Sequence, residues 1–434
     1  MANELNQIPS TNVMKDMTGE QLVNDVIQGS SKLANQPSLQ NVTRANFSSI
    51  GELIVSNNDW RNAFIYTLWD KVGLYWIAMN EFNNPLKFLK KDYLRAGAVV
   101  DELQMDLIEP MPYNPEVDWI KALANFVPVY LEMFHKINRR DVFPLTNINM
   151  MLRQSFSTPQ TFMEMVNKQL DLLAQSNEAS EFEQFISLIQ YVNENIAYKV
   201  QIAGFTDKDS IEDSVATIRQ WALDLQYPSR EYNVAGFKRS APFSELVLIA
   251  KSDAISQMDV KSLAAAFNMS KAEFIAERIV TIPSFINMGD CEVLLGDRRV
   301  FQIYDVEYAT DSNHNGLTRA DNYFLHVQQI LSSSICCPVI GFKAEAVTPT
   351  VLGAFTPATG SSLKKGSTQL IKCAVTSGDN KQLHYSVTGN AVPETAITTY
   401  GLLHVGQLET AGSITVTCTA PGGVTAQATY TITS

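Results

Sequence analysis

The sequence predicts an α+β chain that ends in a separate all-β unit, on three observations. Its 434 residues exceed the roughly 250–300 at which a single core stops growing, so at least two folding units are needed. Helical and strand patterns between residues 205 and 340 do not alternate regularly, which fits neither a doubly wound sheet nor a barrel of repeated βα units. The composition also changes near Val347: residues 345–434 hold 18 Thr and no Met, Trp or Arg, whereas all 14 Met and all five Trp lie earlier.

Taken in order, residues 1–55 carry one modest helical pattern (Leu22, Val26, Ile27) in Ser-, Asn- and Gln-rich sequence and read as an arm supported from outside. Residues 58–79 place Trp60, Phe64, Leu68, Trp69, Val72 and Trp76 on one broad face, the pattern of a buried helix. Residues 83–115 run from a basic stretch (Lys87, Lys90, Lys91, Arg95) through Gly97 to an acidic one (Asp101, Glu102, Asp106, Glu109) with Leu103, Met105 and Leu107 alternating. They read as a long projecting hairpin, and long loops in compact proteins are usually functional or partner-bound.

Thr158-Pro159 opens a helix with a hydroxyl cap and Pro in its first turn. Apolar residues from Phe162 to Ile196 continue it as one long helix, or as two if Ser176-Asn177 breaks it. Helices follow at 211–225, 260–267 and 271–277, and strands at 246–250, 292–295, 300–304 and 335–342, the last placing Cys336 and Cys337 in a core strand. The tail shows short alternating runs at 369–375, 384–387, 413–418 and 426–432, bounded by turn residues, as a sandwich requires.

The formal net charge of −12 argues against a general nucleic-acid binder, which needs clustered Lys and Arg. No apolar run is long enough to span a bilayer. The start shows no secretory signal, so synthesis in a reducing cytoplasm is expected. Five cysteines form no metal-binding pair and read as buried thiols. Cys373 and Cys418 share inward parity on facing strands and are candidate facing thiols. The segment from Asp311 to Gly316 imitates half of a calcium loop, but Asn322 stands where a bidentate Glu is needed, so a plain turn is the reading. The five His lack metal-ligand spacing, and no nucleophile elbow or phosphate loop occurs. No cofactor, no metal and no enzyme activity are expected.

Several short stretches carry a resemblance: Asn83-Asn84-Pro85-Leu86-Lys87, Phe134-His135 before Asn138-Arg139, Leu263-Ala264 running into Ala266-Phe267-Asn268-Met269, Tyr304-Asp305, and His326-Val327. With the order of parts, they make the chain similar to the major head proteins of short-tailed phages of the phi twenty-nine type. Thr348-Pro349, Lys365-Gly366, Tyr385-Ser386-Val387 and Gly401-Leu402-Leu403 resemble a bacterial immunoglobulin-like domain of group two.

The resemblance implies the tailed-phage capsid (Hong Kong ninety-seven-like) fold: arm 1–55, capsid domain 56–344, and immunoglobulin-like domain 345–434. Within the capsid domain the extended loop is expected near 83–115, the spine helix near 159–196 and the axial domain near 206–322. It implies a shell subunit that self-assembles in the host cytoplasm, with many copies of itself, a scaffolding protein and a portal protein as partners. The shell encloses double-stranded DNA without reading it. Lys87, Lys90, Lys91 and Arg95 are expected to meet a neighbouring copy's acids, beside Asp101, Glu102, Leu103 and Met105, so removing residues 86–109 is expected to leave a folded monomer unable to form shells. The competing reading, a bacterial surface adhesin or carbohydrate-binding protein with the same kind of tail, is disfavoured by the lack of an export signal.

Overall fold

The computed structural model describes residues 18–73, 82–94, 99–108, 129–148, 156–263, 278–315, 317 and 320–434. Helix α1 (Gly19–Gly29) starts at a capping box: the Thr18 hydroxyl accepts from the Gln21 backbone N–H, and the Gln21 side chain accepts from the Thr18 N–H at 2.9 Å. Leu22, Val23, Val26 and Ile27 form its buried stripe. Helices α2 (Phe47–Ser56) and α3 (Asn58–Gly73) add Phe47, Ile50, Ile54 and Phe64 to one core that also holds Phe156 and Phe162. Phe156 stacks on Phe162 with ring centroids 4.8 Å apart, and Phe47 and Phe64 tilt against Phe156 at 5.7 and 5.8 Å.

The support that residues 18–55 need from outside the segment comes from their own chain. Their partners are two phenylalanines about a hundred residues further on, out of reach of any local pattern. The close approach depends on Gly51, where a Cβ would lie 2.3 Å from the Phe156 ring. Gly51→Val is expected to lower stability by about 3 kcal/mol through overpacking, read as a lower unfolding midpoint. Leu53→Ala on the exposed side of the same helix should change it by no more than about 0.5 kcal/mol. Equal midpoints for the two variants would contradict this packing.

Strands β1 (Lys90–Tyr93), β2 (Val100–Met105), β3 (Tyr130–His135) and β4 (Arg139–Ile148) precede α4 (Pro159–Asn195), a single helix of 37 residues, about 55 Å long. Ser176-Asn177 does not break it. The Ser176 hydroxyl folds back onto the Leu172 carbonyl at 2.6 Å, and Asn177 is buried beside Arg139. After α4 come β5 (Tyr198–Gln201), α5 (Lys208–Asp224), β6 (Leu246–Lys251), α6 (Ser252–Leu263), β7 (Arg278–Ile282), β8 (Val293–Asp297), β9 (Phe301–Asn315), β10 (Ala320–Ser333) and β11 (Val339–Lys343).

These strands make two sheets, both on α4. The first, in the order β1-β9-β10-β4, covers the first half of the helix, with Leu173 and Ala174 against Leu325 and Val327. The second, β5-β11-β8-β6-β7, is apolar on both faces, as a central layer has to be. Val247 and Ile249 face Phe185, Ile189 and Val192 of α4, while Leu246, Leu248 and Ala250 face Ile211, Ile218 and Ala222 of α5.

Several expectations change. The expected axial region 206–322 is split, because β9 and β10 join the first sheet and not the second. Asp311 to Asn315, expected as a plain turn, are the end of β9 and pair with β10 in a hairpin. Cys336 and Cys337 lie in a bend before β11, not in the strand. Trp76 and residues 271–277 lie outside the described residues.

The C-terminal unit comprises β12 (Val351–Thr356), β13 (Ser362–Lys364), β14 (Thr368–Leu370), β15 (Lys372–Ser377), β16 (His384–Thr388), β17 (Ala396–Ile397), β18 (Leu402–His404), β19 (Ser413–Thr419) and β20 (Thr425–Thr433). They form the sheets β12-β15, β13-β20-β19-β16 and β14-β18-β17 around one core that includes Ile371, Tyr385, Val405, Val416 and Tyr430. The strand expected at 369–375 is two strands, because the chain changes sheets at Ile371, whose N–H donates to the Gly401 carbonyl at 2.7 Å. Gly401 has φ +97°, and a Cβ there would lie 2.2 Å from the Ile371 oxygen.

Cys373 and Cys418 are free, buried thiols that interact with each other in this core, and burial pushes the Cys418 thiol up to about 12. The unit is fastened to the edge strand β5. The Asn380 side chain accepts from the Lys199 N–H at 2.6 Å and donates to its carbonyl at 3.2 Å, and Gln382 donates to the Ile196 carbonyl at 2.8 Å. Lys343 pairs with Asp379 at 2.8 Å.

Candidate inter-subunit surface

Lys87, Lys90 and Lys91 of the basic stretch are held within their own chain. Asn84 turns the backbone by accepting from the Leu86 N–H at 2.9 Å, which sends Leu86 and Leu89 into the core beside α4. Lys87 then pairs with Glu178, and Lys90 pairs with Glu181 and, at 3.1 Å, with Asp305. Burial alone would lower the Lys90 pKa, but the two carboxylates outweigh it and hold the amine above its usual range. Lys91 donates to Gln302 at 2.6 Å, and there burial prevails over the nearby Glu102 charge and pulls its pKa down.

The same cluster takes in two further residues. Gln329 donates to Glu181 at 2.5 Å and to Asp305 at 2.6 Å, and Arg139 reaches Gln329 at 2.6 Å and Ser180 at 3.1 Å. Lys87 and Lys90 thus find their acids within their own chain, because α4 presents Glu178 and Glu181 beside them. Removing residues 86–109 would take out Leu86, Leu89 and this network along with the loop, so a folded subunit is no longer the expected product.

Beyond β1 the chain forms a two-stranded ribbon. Strand β2 pairs antiparallel with β3, from Val100 opposite His135 to Met105 opposite Tyr130. Period-two alternation gives it two unlike faces. The inner face sets Val100, Leu131 and Met133 beside Glu102, Gln104 and His135, and its polar groups are pinned. Glu102 accepts from Ser334 and Gln104, both at 2.7 Å, and bonds to the His135 ring at 2.9 Å. These bonds overcome the penalty of burial and keep its carboxyl below the usual range. Asp106 pairs with Arg230 and accepts from the Lys238 N–H at 2.8 Å, and Arg239 donates to Gln104 and to the Met105 carbonyl, both at 2.7 Å. The outer face is mostly apolar, with Asp101 and Glu132 as its charged members. Leu103, Met105, Tyr130 and Phe134, with Leu107 and Ile108 just beyond β2, are each more than half exposed.

Of the residues singled out from sequence, the ribbon's outer face gathers Asp101, Leu103 and Met105 and its inner face holds Glu102. The lysines form its base, and Arg95 lies outside the described residues. Sequence reasoning missed Tyr130 and met Phe134 only within a stretch of resemblance, although the alternation of Tyr130 to His135 is itself a strand signal, and it missed the acids of α4. Among the described residues no group of His, Cys, Asp or Glu is arranged to hold a metal, and no helix is long and apolar enough to cross a membrane.

The family model for the Phi29-like phage major capsid protein matches residues 23–343. The chain is 28% identical over 345 residues to the major capsid protein of Bacillus phage GA-1, covering 76% of this chain and 72% of that one. It is 28% identical over 369 residues to that of Bacillus phage PZA, covering 84% and 82%. Among solved structures it is similar to the capsid of Staphylococcus phage Andhra, with a TM-score of 0.49 and 12% identity over 61% of this chain and 85% of that one. A mixed helix and sheet body built on one long helix accompanies a family match over most of its length: the chain belongs to the Phi29-like phage major capsid protein family and serves as a subunit of a phage capsid shell.

Proposed function

We propose that copies of this chain join through the outer face of the β2-β3 ribbon, laid over an adjacent subunit, to close a head that encloses double-stranded DNA without gripping it. The observation that supports this is the set of exposed apolar side chains on one face of the ribbon, Leu103, Met105, Tyr130 and Phe134, while the polar groups of its other face are already bonded within the subunit. Large exposed apolar patches mark interaction sites. A contact whose donor and acceptor patches differ also repeats without using up the surface. Of the residues first assigned to the contact, Asp101, Leu103 and Met105 keep that role, while Lys87, Lys90, Lys91 and Glu102 build and orient the ribbon.

In this reading a scaffolding protein directs closure and a portal protein fills one vertex of the virion shell. The nine-stranded C-terminal unit is an immunoglobulin-like domain of group two, and it serves the shell rather than host attachment. Its separate core and its fastening to β5 favour that assignment. Electron microscopy of the chain, produced together with the scaffolding protein of its phage, should show closed shells, tubes or capsomer sheets. A preparation that remains monomeric at high concentration overturns the proposal.

A further inference from the structure

Between the ribbon and the C-terminal unit lies the loop 229–240, and one carbonyl in it serves both sides. The Gly236 oxygen accepts from Arg230 Nη1 at 3.1 Å and from Thr399 Oγ1 at 2.9 Å. The same Arg230 nitrogen pairs with Asp106, at the end of β2. Gly236 has φ +65°, and a Cβ there would lie 3.0 Å from the Thr399 Cβ and 3.4 Å from His384 Nδ1. The loop and the C-terminal unit therefore touch with no room for a larger residue. Asn233 locks the loop by accepting from the Phe237 N–H at 3.0 Å and donating to its carbonyl at 2.8 Å.

Apolar contacts follow the same line. Ala235, Phe237 and Cys336 form a small buried core, and packed against it are Leu131 and Met133 from the ribbon's inner face and Tyr400 from the C-terminal unit. Tyr400 is held in turn by the Lys372 amine, which lies 5.0 Å from its ring centroid and donates to its hydroxyl at 3.3 Å. A two-stranded ribbon is only marginally stable by itself, and this one presents its apolar face to solvent, so its order depends on what lies behind it.

We propose that the C-terminal unit is the brace of the ribbon: Thr399 and Tyr400 act as positioning residues that, through Gly236 and Arg230, fix the attitude in which the ribbon is offered to a neighbouring copy. The contribution of the C-terminal unit to assembly is then made through its own subunit's ribbon, before any copy is met. This rests on the reading that the ribbon joins copies, but only for its consequence in assembly.

Hydrogen exchange on the full-length Thr399→Val/Tyr400→Ala subunit tests the brace without requiring shells. Amides of β2 and β3 should exchange about tenfold faster or more, while those of β6 and β8 stay unchanged. Lys381→Ala removes a different bond between the units, the one to Asn195 at 2.9 Å, and should leave the ribbon as it was. Unchanged exchange in the ribbon, or a rise shared equally by β6 and β8, overturns the brace. A faster ribbon that still assembles into normal shells supports the brace and sinks instead the reading that the ribbon joins copies.

Discussion

Replacing Leu103, Met105 and Phe134 together by Ser should leave a folded subunit that no longer forms shells. The three side chains are already largely in water in the single subunit, and surface substitutions of this kind alter stability by about 0.5 kcal/mol or less each. Seated on a neighbour, each would lose its remaining exposed area, worth about 1–2 kcal/mol at roughly 25 cal/mol per Å². Together that is about 3–6 kcal/mol for each contact. Since 1.4 kcal/mol is a factor of ten, the affinity of each contact should fall by about two to four orders of magnitude, and every subunit in a closed shell repeats the loss. Sedimentation should therefore show no particles while the melting curve stays close to that of the unaltered chain. Particles of normal size and yield would remove the ribbon from the assembly mechanism.

Glu181→Ala should have the largest effect on the stability of the subunit itself. The carboxylate is 1% exposed, pairs with Lys90, and accepts from Gln329. Its removal leaves Lys90 with Asp305 alone and takes an acceptor from a buried amide. Breaking a buried ion pair on one side costs about 3–5 kcal/mol because the partner stays charged and desolvated. The companion variant Lys90→Met/Glu181→Met removes both charges and should recover more than half of that loss, since apolar replacements of whole buried pairs are often close to neutral. Denaturant unfolding distinguishes the two cases. If both variants lose stability equally, the charge pairing is not what holds β1 to α4.

The parts legible in the sequence are those fixed by local periodicity. Thr158-Pro159 and the apolar recurrence up to Ile196 define the long helix to within a residue of its observed start and end. The Thr-rich tail was recognisable as a separate β unit because composition and turn residues are local. What stayed hidden depends on partners distant in sequence. The helices of residues 18–56 are organised by Phe156 and Phe162, and the lysines of the basic stretch by Glu178, Glu181 and Asp305. A run of charge looks the same whether its counter-ions belong to its own chain or to another. The short stretches that carried the resemblance fare better in hindsight. Asn84, His135 and Arg139 all bond at the ribbon's base or inner face, where geometry tolerates few alternatives.

The Asn380 amide on Lys199 has one more consequence. A protein made in abundance and bound to associate has to be kept from associating wrongly, and the open side of a sheet is the commonest route to fibres. By occupying both the N–H and the carbonyl of Lys199, a single side chain imitates the next strand and terminates the ladder there. Strand-by-strand polymerisation is barred on that side, which favours growth through broad surfaces that can curve back to enclose a volume.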